Sequence, residues 1–99
     1  MNNNNILNLL GLAYRAKKLV IGSDDVLLSI KDNTLKLVLI DKDMMSNTSK
    51  EITYFCEKNN IVLVKIFTKE ELSHSIGKKN ISVIGIIDEG FKNLIMKSL

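Results

Sequence analysis

Ninety-nine residues with 45% hydrophobic and 25% charged side chains fit one folded domain over 1–99 with a real core, and exclude a disordered tail. Fourteen Lys and Arg against eleven Asp and Glu leave a formal charge of +3, enough to assist binding of a polyanion and too little to require it. A single cysteine, Cys56, excludes an internal disulfide, and no stretch nears the roughly 20 apolar residues of a membrane span, so a cytoplasmic protein with no membrane partner is expected.

From Ile6 to Lys17 the residues Ile6, Leu9, Leu10, Ala13 and Ala16 recur at three- and four-residue spacing, the mark of one buried helical face. Asn2 to Asn5 before them read as a frayed, solvated terminus whose last member can cap that helix. Leu19-Val20-Ile21 is a short strand stopped by Gly22, after which Val26, Leu27 and Ile30 resume helical spacing. Leu35 to Ile40 is too short and too continuously apolar for a surface helix; it reads as a buried central strand ending in Asp41-Lys42-Asp43. Thr48 and Glu51 have capping-box spacing and predict a third helix to about Lys58, with Ile52, Phe55 and Cys56 facing inward. The β-branched run Ile61 to Phe67 predicts a strand, and Thr68 with Glu71 repeats the capping-box signal for a short helix carrying Leu72 and Ile76 and closed by Gly77. An exposed turn, Lys78-Lys79-Asn80, leads to a last buried strand, Ile81 to Ile87, and a terminal helix carries Phe91, Leu94 and Ile95. This alternation predicts an α/β fold in which helices cover both faces of a sheet, so that any chemistry sits on loops at one end of the sandwich.

An enzyme is the weakest class. His74, the one histidine, lies on a short helix between Ser73 and Ser75 without a carboxylate partner, and Cys56 lies mid-helix on an apolar face with nothing to stabilise a thiolate. One cysteine and one histidine cannot supply a zinc site, and Gly22 lacks the further glycines of a nucleotide loop, so no catalytic residue, metal or cofactor is expected. Asp41, Asp43 and Asp88 read as turn and cap residues, or as a cation or small-molecule site should the fold gather them around a pocket.

The turn Ile21-Gly22-Ser23-Asp24-Asp25 is the richest local feature. Its glycine lets backbone approach a ligand, and the residues after it offer amide donors and short acceptors at a helix start, although the same composition also serves a plain strand-to-helix cap.

Four segments in order, Arg15-Ala16-Lys17-Lys18-Leu19-Val20-Ile21-Gly22, then Leu35 to Asp43, then Thr68-Lys69-Glu70-Glu71-Leu72 through Gly77, then Ile87-Asp88-Glu89-Gly90-Phe91, give nearly the whole chain a wider likeness. It resembles the ribosomal protein family named for archaeal L7Ae, most closely that family's small bacterial, YlxQ-type branch. The resemblance implies a three-layer α/β/α sandwich with a small mixed sheet, a monomer, and binding of structured RNA: kink-turn or ribosomal RNA, with ribosomal proteins as further partners. It also implies that the turn holding Gly22, Ser23, Asp24 and Asp25 meets the sheared G·A pairs of a kink-turn, and that the loop of Gly77 through Lys78, Lys79, Asn80 and Ile81 packs near its bulge. Recognition is then largely by shape. Lys18, Lys31, Lys78 and Lys79 would supply the phosphate contacts.

The chain departs from the family's RNA-reading pattern at three positions. Strong binders carry asparagine then glutamate where this sequence has Asp24 then Asp25, and lysine one turn later where it has Leu28. Each change removes a donor, reach or a cation, so two readings stand: an RNA-binding protein with weakened or altered kink-turn recognition, or a ribosome-associated protein-interaction module that has lost it. Lysines 18, 31, 78 and 79 on one face would favour the first, and an apolar patch around Leu28 the second.

Overall fold

The computed structural model describes residues 3–99; Met1 and Asn2, and with them the start of the expected frayed terminus, lie outside the described residues. Among the described residues nine elements alternate: α1 (Asn3–Arg15), β1 (Leu19–Ile21), α2 (Ser23–Lys31), β2 (Leu37–Asp41), α3 (Asn47–Lys58), β3 (Val62–Phe67), α4 (Lys69–Ser75), β4 (Val83–Ile86) and α5 (Glu89–Ser98). The strands form one mixed sheet in the order β1-β4-β2-β3, with β2 and β3 parallel and β4 antiparallel to both its neighbours.

The period of two along each strand divides the core into two. Leu37 and Leu39 of β2 and Ile84 and Ile86 of β4 face a cluster built with Ile6, Leu9, Leu10 and Ala13 of α1, Leu72 of α4 and Ile95 of α5. The alternate residues Val38, Ile40 and Val83 face Val26 and Ile30 of α2 and Ile52 and Cys56 of α3. The result is the three-layer α/β/α sandwich. At Gly85 a Cβ would lie 2.5 Å from Leu35 Cδ1, 3.0 Å from Val20 Cγ2 and 3.1 Å from Val26 Cγ2, so its missing side chain is what lets α2 and Leu35 close on the sheet.

Helices α1 to α4 all leave through a left-handed residue, at Lys17, Asn33, Asn60 and Gly77, each with the paired backbone bonds of a Schellman motif. These exits correct several expected boundaries. Helix α1 stops at Arg15, leaving Ala16 exposed, because Lys17 takes φ 59° and Lys18 N donates to Ala13 O at 2.9 Å. Leu35 is buried but outside β2, since its amide is spent on Ser29 O at 3.3 Å. Ile61 precedes β3 because its amide closes α3 on Cys56 O. At β4, Ile81 donates to Ser73 Oγ rather than to the ladder, and Ile87 to Lys18 O beyond the strand's end.

The helix starts test the two capping boxes. Thr68 and Glu71 form theirs, with both reciprocal bonds at 3.0 Å. The box expected at Thr48 is not made: α3 begins two residues earlier than that, and Ser46 caps it by accepting from Ser49 N at 3.1 Å. Asn3 to Asn5 are helical rather than frayed, and Asn5 Nδ2 donates to Ser98 Oγ of α5 at 2.6 Å. Leu94 stands 48% exposed, leaving Phe91 and Ile95 as the inward residues of α5.

Candidate nucleic-acid interface

Strands β1, β2 and β3 point the same way, so the helices that follow them, α2, α3 and α4, all start at one edge of the sheet. Three backbone bonds knit this edge: Gly22 N to Val83 O at 2.9 Å, Asp41 N to Ser82 O at 2.8 Å, and Lys42 N to Phe67 O at 2.8 Å. The arrangement places the Gly22 turn against the end of the loop that enters β4, so two segments far apart in sequence share one rim.

Of the helix starts described, α2 alone lacks a side-chain cap. Ser46, Thr68 and Asp88 cap α3, α4 and α5, whereas the N-cap of α2 is Gly22, at φ 91° and ψ 158°. That conformation is essentially closed to any other residue. Its consequence is that the first amides of α2 carry the positive end of the helix dipole without an internal oxygen to absorb it. Ile21, Gly22, Ser23, Asp24 and Asp25 line a surface depression of about 320 Å³ in front of them. Among the described residues, apart from its two chain neighbours, nothing comes within 4 Å of where a Gly22 Cβ would stand, so the approach is open. Asp24 and Asp25 sit exposed in the first turn, where their charge favours the helix and opposes an anionic ligand.

The second loop is held from below. Ser73 of α4, buried, donates its hydroxyl proton to Lys69 O at 2.7 Å and accepts from Ile81 N at 2.8 Å, which fixes where the chain turns into β4. Ile81 is half-buried against the α1/α4/α5 core, while Gly77, Lys78, Lys79 and Asn80 are exposed, with φ 69° at Gly77 and 59° at Asn80. The Lys78 ammonium lies 5.6 Å from the Tyr14 ring centre, a cation–π contact worth about 0.5–1 kcal/mol at such a site. Ser73 and Tyr14 were not among the expected site residues, and no local pattern distinguishes them from ordinary helix positions.

The fold sets Lys18 and Lys31, two of the four expected phosphate-binding lysines, apart from the Gly22 turn. Lys18 lies beyond the start of β1, its carbonyl accepting from Ile87 N at 3.0 Å, and Lys31 ends α2, so both stand at the far edge from Gly22. Leu28 is 56% exposed on α2, and Met45, in the loop after β2, is 93% exposed. The carboxylates are divided too. Asp41 accepts from Asp43 N at 2.9 Å in a local turn, and Asp88 caps α5 through Phe91 N at the opposite edge, so they do not form one site. Among the described residues no group of three or more His, Cys, Asp or Glu is placed to hold a metal ion. His74 is exposed on α4, and burial pushes the Cys56 thiol up to about 11, where it is an inert core group at neutral pH.

Known proteins share the sequence family and the fold. The profile of the ribosomal protein L7Ae/L30e/S12e/Gadd45 family matches residues 4–96. The RNA-binding protein YlxQ of Bacillus subtilis is 40% identical over 91 residues, covering 92% of this chain and 91% of that protein. The large ribosomal subunit protein eL8 of Thermoplasma volcanium is 28% identical over 97 residues, covering 94% of the chain and 78% of its own length. A solved structure of a Bacillus halodurans protein of unknown function superposes with a TM-score of 0.88 at 30% identity, over 94% of each chain. The Giardia lamblia 15.5kD RNA binding protein superposes at 0.78 over 96% of this chain and 82% of that one, and at 20% identity it attests the fold.

Proposed function

Since the chain belongs to the ribosomal protein L7Ae/L30e/S12e/Gadd45 family, in its YlxQ-type branch, we propose that it is a non-enzymatic RNA-binding protein that reads structured RNA of the kink-turn kind, with weakened or altered recognition. The observation that carries this reading is the uncapped start of α2 at Gly22, its amides turned out beside the loop that Ser73 fixes. Amides at a helix start suit phosphate or base oxygens, and Asp24 and Asp25 suit guanine N–H donors. The shape of the rim, rather than base edges in a groove, then selects the RNA. On this reading the protein works in the cytoplasm as a monomer on ribosomal or other structured RNA, with ribosomal proteins as neighbours. No helix among the described residues is long and apolar enough to cross a membrane.

A salt-resolved titration tests it, using a fluorescent kink-turn RNA beside the same RNA with its sheared G·A pairs replaced by Watson–Crick pairs. Tighter binding to the intact motif, with a component that survives high salt, is the expected result. Equal and salt-sensitive binding to both refutes kink-turn recognition. The exposure of Leu28 favours a second reading, in which this face docks a protein and the kink-turn site has decayed; absence of any RNA preference together with retention on ribosomal particles would select it.

A further inference from the structure

We infer that the far edge of the sheet is a second RNA contact, a sequence-independent grip on the phosphodiester backbone made by Lys17, Lys18, Lys31 and Lys36. Backbone bonds fix where these residues stand. The Lys18 carbonyl accepts from Ile87 N at 3.0 Å and the Lys36 amide donates to Ile86 O at 2.7 Å, so the two flank the end of β4 from either side. Their backbones are two strand spacings apart, about 10 Å. Lys17 precedes Lys18 in the turn that leaves α1, and Lys31 ends α2, which packs over β1 and β4.

All four are unpaired. Among the described residues the one ion pair is Lys92 with Glu89, at 3.5 Å. The acids nearby are largely engaged: Glu89 in that pair and Asp88 on Phe91 N at 2.9 Å, leaving Asp32 as the free carboxylate beside Lys31. A lysine in the last turn of a helix balances the carbonyl end of the dipole, and that accounts for Lys31. It does not account for Lys18 and Lys36, which lie outside any helix and beside a strand. The glycine edge, by contrast, carries Asp24, Asp25, Asp41, Asp43, Glu70 and Glu71 against Lys42, Lys50 and Lys69, an acidic balance. Ammonium groups with no protein partner fit phosphate oxygens, and fit them in any sequence.

The inference takes its choice of polyanion from the RNA-binding reading, and its test separates the two. The probe is a plain, unbent RNA duplex, titrated over a salt series with the natural chain, with a variant carrying Lys17→Gln, Lys18→Gln, Lys31→Gln and Lys36→Gln, and with a charge-matched variant carrying Lys50→Gln, Lys65→Gln, Lys69→Gln and Lys97→Gln. Thermal melting verifies that both variants fold. The first should flatten the dependence of log affinity on log salt by about 3.6, at about 0.9 per lost phosphate contact, while the second leaves most of the slope. The preference for a kink-turn over its Watson–Crick counterpart should persist in the first variant. Equal loss in the two variants overturns the inference, because net charge alone would then explain binding. Unchanged duplex binding in the first variant also overturns it and gives the patch to an acidic protein surface. If the natural chain shows no kink-turn preference, the proposed function fails while the difference in slopes still decides this one.

Discussion

Leu28→Lys is the perturbation that asks most directly whether the first turns of α2 face RNA. Leu28 is 56% exposed, so little apolar burial is lost. It follows Asp24 by four residues, which puts the two on one face and lets the aspartate compete for the new ammonium at about 0.2–0.5 kcal/mol. A charge-assisted hydrogen bond to RNA is worth about 1.5–3 kcal/mol. The difference, about 1–2.8 kcal/mol, corresponds to roughly five- to hundredfold tighter binding. The assay is a titration of kink-turn RNA and its Watson–Crick counterpart in one buffer, with circular dichroism to verify the helix. Tightening concentrated on the kink-turn RNA is expected. Equal tightening on both would reduce the effect to added charge, and no tightening by a folded variant would refute the placement of RNA against α2.

Three further outcomes follow from the same geometry. Gly22→Ala should cost about 1–3 kcal/mol through backbone strain alone, since φ is 91° and nothing crowds the new methyl; a urea midpoint unchanged from the natural chain would contradict this. Gly85→Ala should cost about 1–3 kcal/mol by overpacking against Leu35, Val20 and Val26, and adding Leu35→Val should recover part of it in a double-mutant cycle; strict additivity of the two would count against the contact. For Cys56, burial raises the thiol from 9.0 to about 11, so the folded state holds its proton more tightly than the unfolded one. The resulting stability is fully present below pH 9 and is lost as pH rises through 11, and Cys56→Ala should remove that part of the alkaline decline seen in denaturant melts.

The elements were legible because their signals are local, and the placement of the site was less so because direction is not. Thr68 and Glu71 announced α4 correctly, since the three-residue spacing that defines a capping box is also the geometry that makes it. Thr48 and Glu51 show the same spacing without the box, because the chain leaving β2 turns at Asp41 and Asp43 and reaches Ser46 ready to cap first. Gly22 stood out because its type alone permits its conformation. Lys18 lies only four positions before it in sequence, yet three residues of extended chain carry β1 from one edge of the sheet to the other. Nothing in a hydrophobic pattern says which end of a strand a charge will join. The meeting of Tyr14 with Lys78, and of Ser73 with Ile81, depends on how α1 and α4 pack, and short-range patterns carry no trace of it.

The shared orientation of α2, α3 and α4 sets two electrical axes against each other. The amide ends of three helices gather at the glycine edge, whereas Lys17, Lys18, Lys31 and Lys36 stand at the other without an ion pair. Backbone dipoles act within about a turn of the helix end, while full charges reach across a Debye length of about 8 Å at physiological salt. On the proposed reading a polyanion meets the lysine field first and the amides only on contact. With RNA docked as proposed, encounter and residence become separable quantities: ionic strength sets how often RNA arrives, and the glycine turn sets how long it stays.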